Sequence, residues 1–255
     1  MALYTDGPIS VPADLQRYEN AILNVASTES IDLGAKILLA QQDLANEIVL
    51  FLLRRSYLHE YSLDLRRSRG VKDVVVTEPL RQWHVHKTLS LIYRDAYNNQ
   101  LNDRYQGKWA EYEVLAKESA RIYFQIGVGL VADPVPKAMA PTVSTVAGTA
   151  AGGTFYVAVT WVNVPGQEGA PSNSVPLVTS EGQQIMAMVG TPPESVTNWN
   201  VYVGTSPGVL NLQNQSPLGT SSSWTMTSGL NPGRPLPDGQ HPTWFVVDHR
   251  VMERG

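Results

Sequence analysis

Apolar residues recur at helical spacing through the first half of the chain and alternate through much of the second, so the pattern predicts helices followed by strands. Pro12 opens a first short amphipathic stretch, with Leu15, Tyr18, Ile22 and Val25 on one face. Ser27, Thr28 and Ser30 offer N-cap oxygens to a second helix running to Arg55, with Ile37, Leu44, Ile48, Phe51 and Leu52 at helical spacing. Arg54 and Arg55 sit in its last turn, where positive charge is favoured. Gly70 and the β-branched run Val74–Val76 predict an extended connector. Thr77 caps a third helix that has Pro79 in its first turn, Val85, Leu89, Ile92 and Ala96 on one line, and an end at Gln100. A fourth helix, Asp103 to Gln125, aligns Tyr105, Trp109, Tyr112, Ala116 and Tyr123 before Gly127, Gly129 and Pro134 end it.

The period then changes. From Thr154 to Asn163, Phe155, Val157, Val159 and Trp161 fall on one face and Tyr156, Ala158, Thr160 and Val162 on the other. Turn pairs at Pro165-Gly166 and Gly169-Ala170-Pro171 precede strands at Ser174–Thr179 and Gln184–Val189. Trp199, Val201 and Val203 alternate up to a Ser206-Pro207-Gly208 turn, and Ser222–Thr227 is the last strand of the set. Short strands at this spacing with Trp and Tyr inside predict an immunoglobulin or fibronectin III-like β-sandwich without its disulfide. Asn231–Pro242 is proline-rich and reads as an extended spacer. Trp244–Arg250 then reads as a strand that pairs either with this chain's own sheet or with another protein by strand addition.

Composition sharpens the division. No lysine or arginine occurs from Ala138 to Gly233; only Arg234, Arg250 and Arg254 follow that gap. The expected architecture is multidomain, α then β: a helical bundle at 1–137, the sandwich at 138–230 and an extended C-terminal arm at 231–255. Without lysines to guard its strand edges, the sandwich needs Pro and Gly to blunt them or a partner to cover them. The formal net charge of −4 argues against a protein built to neutralise phosphate. Zero cysteines exclude disulfides and thiolate chemistry and fit a reducing cytoplasm. The opening Met-Ala-Leu-Tyr-Thr-Asp-Gly-Pro has neither a basic nor an apolar signal region, and Ile48–Leu53 and Ile126–Ala132 are too short to span a bilayer, so a soluble chain is expected.

Candidate chemistry is thin. His84 and His86 are two apart on a helix and diverge, so packing is the better reading than a shared metal. His59-Glu60 lacks the second histidine of a zincin. Arg54, Arg55, Arg66, Arg67 and Arg69 form a basic cluster that reads as a solvated helix end, with nucleic acid or an acidic partner as the alternative. Glu111 and Glu113 diverge and make a poor acid/base pair. Trp161, Trp199 and Trp224 are core residues or, in the alternative, platforms for carbohydrate. No catalytic, cofactor-binding or metal-ligating residues are expected.

Two stretches resemble known proteins. Leu89–Trp109, Leu-Ser-Leu-Ile-Tyr-Arg-Asp-Ala-Tyr-Asn-Asn-Gln-Leu-Asn-Asp-Arg-Tyr-Gln-Gly-Lys-Trp, resembles the helical core of head-to-tail adaptor (connector, head-completion) proteins of tailed bacteriophages. Thr154–Ser172 and Asn198–Gly208 resemble the immunoglobulin-like domains appended to phage virion proteins. The resemblance implies a structural virion protein rather than an enzyme: a ring, usually of twelve subunits, assembled in the bacterial cytoplasm and seated beneath the portal at the virion neck. Its implied partners are other copies of itself, the portal protein, downstream neck or tail proteins and the capsid, with DNA passing through unread and no membrane involved. A C-terminal arm commonly engages the portal in such families, which makes Trp244, Phe245, Val246, Val247 and Arg250 the partner-binding candidates. The runner-up reading is a glycan- or host-binding decoration or tail protein.

Overall fold

The computed structural model describes residues 1–58, 70–100, 103–227 and 229–247. Among these the helices are α1 (Pro12–Tyr18), α2 (Ile22–Thr28), α3 (Leu33–Leu58), α4 (Glu78–Gln100) and α5 (Asp103–Ile126), with a 3-10 turn at Val71–Asp73. The first strands are β1 (Val128–Leu130), β2 (Thr142–Ala147), β3 (Gly153–Val162), β4 (Val175–Thr179) and β5 (Gln183–Met188). They are followed by β6 (Asn198–Ser206), β7 (Val209–Leu212), β8 (Leu218–Gly219), β9 (Trp224–Thr225) and β10 (Trp244–Val246). No described helix is long and apolar enough to cross a membrane. The order is helices, then predominantly antiparallel sheet.

The chain forms two compact units that do not follow its linear segments. Gly7–Leu130 joins with Pro242–Gly255, and Met1–Asp6 joins with Val131–His241. Each unit therefore draws on both ends of the sequence.

In the helical unit the first stretch is two helices rather than one. The chain turns between Tyr18 and Ile22, where the Glu19 carboxylate is held by Lys108 at 3.1 Å and accepts from the Tyr112 hydroxyl at 3.1 Å. The α3 cap also differs from expectation. Ser27 and Thr28 are the end of α2, Ser30 makes the left-handed turn after it (φ 54), and Asp32 Oδ1 accepts from the Ala35 amide at 3.1 Å. The apolar lines on α4 and α5 fall where the periodicity places them: Val85, Leu89, Ile92, Ala96, Tyr105 and Tyr112 share one core with Leu15, Ile22 and Ile37. The aromatic stripe is internal, with Tyr93 stacked on Tyr112 at 5.7 Å and Tyr97 on Trp109 at 6.0 Å.

In the β unit, two antiparallel sheets enclose one core. One is ordered β2-β5-β9 and the other β4-β3-β6-β7, with β8 also on β6. Phe155, Val157, Val159 and Trp161 of β3 and Trp199, Val201 and Val203 of β6 meet Ile185 and Ala187 of β5 there. The opposite face of β3 and β6 has its own cluster, Ala158, Tyr202 and Leu210, covered by Tyr156, Leu212 and Leu236. Leu236 belongs to the stretch read as a spacer. Up to His241 that stretch lies within this unit: Leu212 donates to the Arg234 carbonyl at 2.9 Å, Leu236 donates to Leu210 at 3.0 Å, and Asn231 and Gln213 exchange side-chain and backbone hydrogen bonds. Backbone groups that its prolines leave free are thus satisfied by β7. At the other terminus the Asp6 carboxylate accepts from the amides of Leu3 and Lys137, each at 2.7 Å, and Leu3 and Tyr4 are buried.

Candidate functional site

The C-terminal arm pairs within its own chain, with β1 of the helical unit rather than with either large sheet. Val128, Gly129 and Leu130 face Val246, Phe245 and Trp244 in antiparallel register, while the other edge of β1 receives the Val75 amide on the Gly129 carbonyl at 3.0 Å. The two glycines that end α5 make this seat. Gly127 has φ +111, and a Cβ there meets Val247 Cγ1 at 2.7 Å; a Cβ on Gly129 meets Pro242 Cγ at 2.8 Å. Gly127→Ala is expected to loosen the arm without unwinding α5, read as faster amide exchange at Trp244–Val246 with unchanged helix content. Of the arm's candidate residues, Trp244, Val246 and Val247 are half-buried and Phe245 is 49% exposed. Arg250 lies outside the described residues.

The two histidines diverge as their spacing requires. His84 is fully buried, accepts from the Ser10 hydroxyl on Nδ1 at 2.8 Å and donates from Nε2 to the Ile37 carbonyl at 3.0 Å, the tautomer these partners impose. Burial drives its pKa down to about 4. His86 is held by Ser119 at 2.8 Å, with Tyr18 edge-on at 5.2 Å, and burial lowers its pKa too. Each Ser–His distance suits a nucleophile and base, yet Ser10 is 1% exposed and Ser119 6%. Both pairs are buried packing contacts.

Glu111 and Glu113 serve separate ion pairs, with Lys108 at 3.3 Å and Lys117 at 2.8 Å. Arg54 is exposed on α3, and Arg66, Arg67 and Arg69, with His59 and Glu60, lie outside the described residues. Among the described residues no three His, Asp or Glu side chains cluster to hold a metal. A cleft of about 370 Å³ opens between α2, α4 and α5, lined by Asn24, Thr28, Tyr93, Arg104, Tyr105 and Lys108. Burial pushes the Glu19 carboxyl up, but its hydrogen bonds from Lys108 and Tyr112 and the Lys108 charge outweigh that and hold it below the usual range. Burial and then Glu19 push the Tyr93 and Tyr112 phenols up, so they stay protonated. Tyr105, which lines this cleft, donates from its hydroxyl to Glu29 Oε1 at 2.8 Å.

One buried polar cluster of the β unit was not singled out by sequence reasoning. Glu168, in the loop after β3, accepts from Thr160 Oγ1 at 2.7 Å, Tyr202 Oη at 2.7 Å and Asn200 Nδ2 at 2.6 Å, and is capped by the Arg234 guanidinium. Its side chain is 9% exposed. A signal existed in the composition: Glu168 is the first carboxylate inside the cation-free stretch, and Arg234 is the first cation beyond it. Trp161 and Trp199 are 1% and 0% exposed, and Trp224 is half-buried against the same core, which leaves neither of the first two free to stack on a sugar.

No family model and no curated protein matches this chain. The described residues also present exposed surface and strand edge. The outer side of α3 is such a surface. Ala35, Leu39, Gln42, Asn46, Val49 and Leu53 follow a 4-3-4-3-4 spacing, flanked by Leu38 and Leu50. Leu38, Leu39, Leu50 and Leu53 are 53%, 37%, 52% and 48% exposed. Two of the charges of α3 are engaged with α4 instead: Lys36 pairs with Asp95, and Asp43 with Lys87 at 3.2 Å.

Proposed function

We propose that the protein is a structural virion component, an adaptor ring subunit seated beneath the portal of a tailed phage and forming part of the DNA channel. The observation that supports it is the outer face of α3. Over about 27 Å, at 1.5 Å per residue, the row Ala35, Leu39, Gln42, Asn46, Val49 and Leu53 keeps helix-packing spacing and contains no charged residue. A monomer gains nothing from that exposure, whereas a ring subunit needs apolar faces for its neighbours. The resemblance of Leu89–Trp109 to adaptor helices gives the same reading, as does an acidic chain that lets DNA slide. The β unit is taken as immunoglobulin-like: with β2, β3, β5, β6 and β7 as its strands B, C, E, F and G, the pairings β2–β5, β3–β6 and β6–β7 follow that sandwich, while β4 pairs with β3 rather than with β5. The arm, through Phe245, is the portal contact.

Sedimentation and negative-stain imaging test this. Rings are expected from the wild type, alone or with portal, and single subunits of unchanged helix content from Leu39→Glu/Leu53→Glu. A wild type that stays single and ignores portal overturns the reading. The glycan-binding alternative gains no support from tryptophans that are inside the core.

A further inference from the structure

The two sheets of the β unit expose edges, and all but one are closed by an identifiable device. Backbone directions follow from three hydrogen bonds. Val159 receives the Ser172 amide on its carbonyl, so in β3 the odd-numbered residues from Phe155 to Trp161 point toward β4. Their partners Val175 and Leu177 point back, which leaves Pro176 and Val178 on the free edge of β4, where proline supplies no donor. The edge of β7 is covered by residues 234–236, through the Arg234 and Leu236 bonds and the Asn211–Pro235 bridge. β9 is two residues long. The remaining edge is β2.

In β5, Ile185 accepts from the Met226 amide on the β9 side. Met186 and its neighbours Gln184 and Met188 therefore point to β2, where they face Ser144, Val146 and Thr142. The Gly148 amide, bonded to the Gly182 carbonyl, continues that even-numbered series. Val143, Thr145 and Ala147 thus turn their amides and carbonyls outward, and among the described residues nothing receives them. This strand has no charge, and its only nearby proline, Pro141, stands before it. It lacks every device by which natural edges avoid pairing.

We infer that β2 is an interface, and that its occupant is β2 of a second copy, paired antiparallel about a two-fold axis at Thr145. That register sets Thr145 against Thr145 and Val143 against Ala147, so each outward-pointing residue meets another and about six backbone hydrogen bonds form. It also keeps faces matched: Val143 and Thr145 oppose Ala187 and Ile185, which look into the core, and the partner's odd-numbered residues look the same way. A charge-free edge meets no repulsion from its own copy, and β-branched Thr145 and Val143 suit a β ladder. The β unit thereby joins its sheet β2-β5-β9 to a second one in a continuous six-stranded array. Because a two-fold contact closes on itself, it doubles whatever else the chain assembles, turning a monomer into a dimer or one ring into a facing pair. A six-residue ladder is a small interface, so it forms at high concentration or where a ring multiplies it.

The test is sedimentation velocity of the full chain across a hundredfold concentration range, with Thr145→Pro and Thr145→Lys beside the wild type. The Thr145 amide faces outward, so proline there spares the β2–β5 ladder; unchanged circular dichroism and melting verify it. The wild type is expected to show a species of twice the mass of its basic assembly. Thr145→Pro weakens that doubling by at least about tenfold, and Thr145→Lys abolishes it at low salt and regains part of it at high salt. Amide exchange at Val143, Thr145 and Ala147 slows only in the doubled species. Doubling that survives both substitutions, a wild type that never doubles, or protection of these amides only by a different protein's strand overturns the inference. Rings that persist undoubled in Thr145→Pro leave the adaptor reading intact, so the two proposals fail separately.

Discussion

Glu168→Ala is expected to be the most damaging single substitution in the β unit, costing about 3 to 5 kcal/mol. Alanine removes the acceptor shared by Thr160, Tyr202, Asn200 and Arg234, three of which reach it from the faces of β3 and β6. The Asn200 amide then has no carboxylate to meet, and Asn214, which donates to Asn200 Oδ1 at 2.7 Å and accepts from the Val201 amide at 2.9 Å, loses its anchor in turn. Buried donors left in that state each add their desolvation cost. Glu168→Gln keeps the shape and one acceptor, so it costs less. Arg234→Ala costs least, about 1 kcal/mol, because the guanidinium is 49% exposed and already screened. Chemical denaturation of the three variants checks the order Ala, Gln, Arg234→Ala. An Arg234→Ala loss equal to that of Glu168→Ala contradicts it.

Mild acid is expected to destabilise the helical unit before most carboxylates titrate. His84 folds with a pKa of about 4 and unfolds with one near 6.5, so between those values the unfolded chain binds the extra proton. Stability is complete above about pH 6.5 and falls as pH drops toward 4, by about 1.4 kcal/mol per unit and about 3 kcal/mol in all. The physical cause is burial: protonating Nδ1 turns the acceptor of the Ser10 hydroxyl into a second donor inside a core. Nearby Arg81 opposes the proton and Asp14 favours it, both less than burial does. His86 adds to the loss with the same sign. Melting of the wild type from pH 7.5 to 5 against His84→Gln measures the effect. A wild-type melting temperature flat over that window removes the account.

The helical half was legible because its periodicity and its packing agree. Val85, Leu89, Ile92 and Ala96 were aligned by spacing alone and are all buried, and α5 ends at the glycine that the sequence marks. The errors lie where a long-range partner overrides a local signal. Leu15 to Val25 reads as one face of one helix, but Lys108 and Tyr112, far along the chain, hold Glu19 at the break. Ser27, Thr28 and Ser30 are all plausible caps, and Asp32 does the capping. In the β half, alternation located β3 and β6 with their inward faces. It could not find the Glu168 cluster, whose members are spread from Thr160 to Arg234, nor the covering of β7 by a stretch whose prolines suggested a spacer. Polar networks have no period, and only proximity in the fold reveals them.

The exchange of chain ends has a consequence for synthesis. Because β10 follows the whole β unit in the chain and yet completes the pairing of β1, the helical unit cannot finish folding until the ribosome has released that strand, although most of its helices emerge first. Cutting the gene at the composition break near Ala138 would therefore yield two damaged fragments rather than two domains: one without its closing strand, the other without Met1–Asp6 beneath Lys137. Expressing either half alone calls for a circular permutant or a grafted terminus, not a truncation.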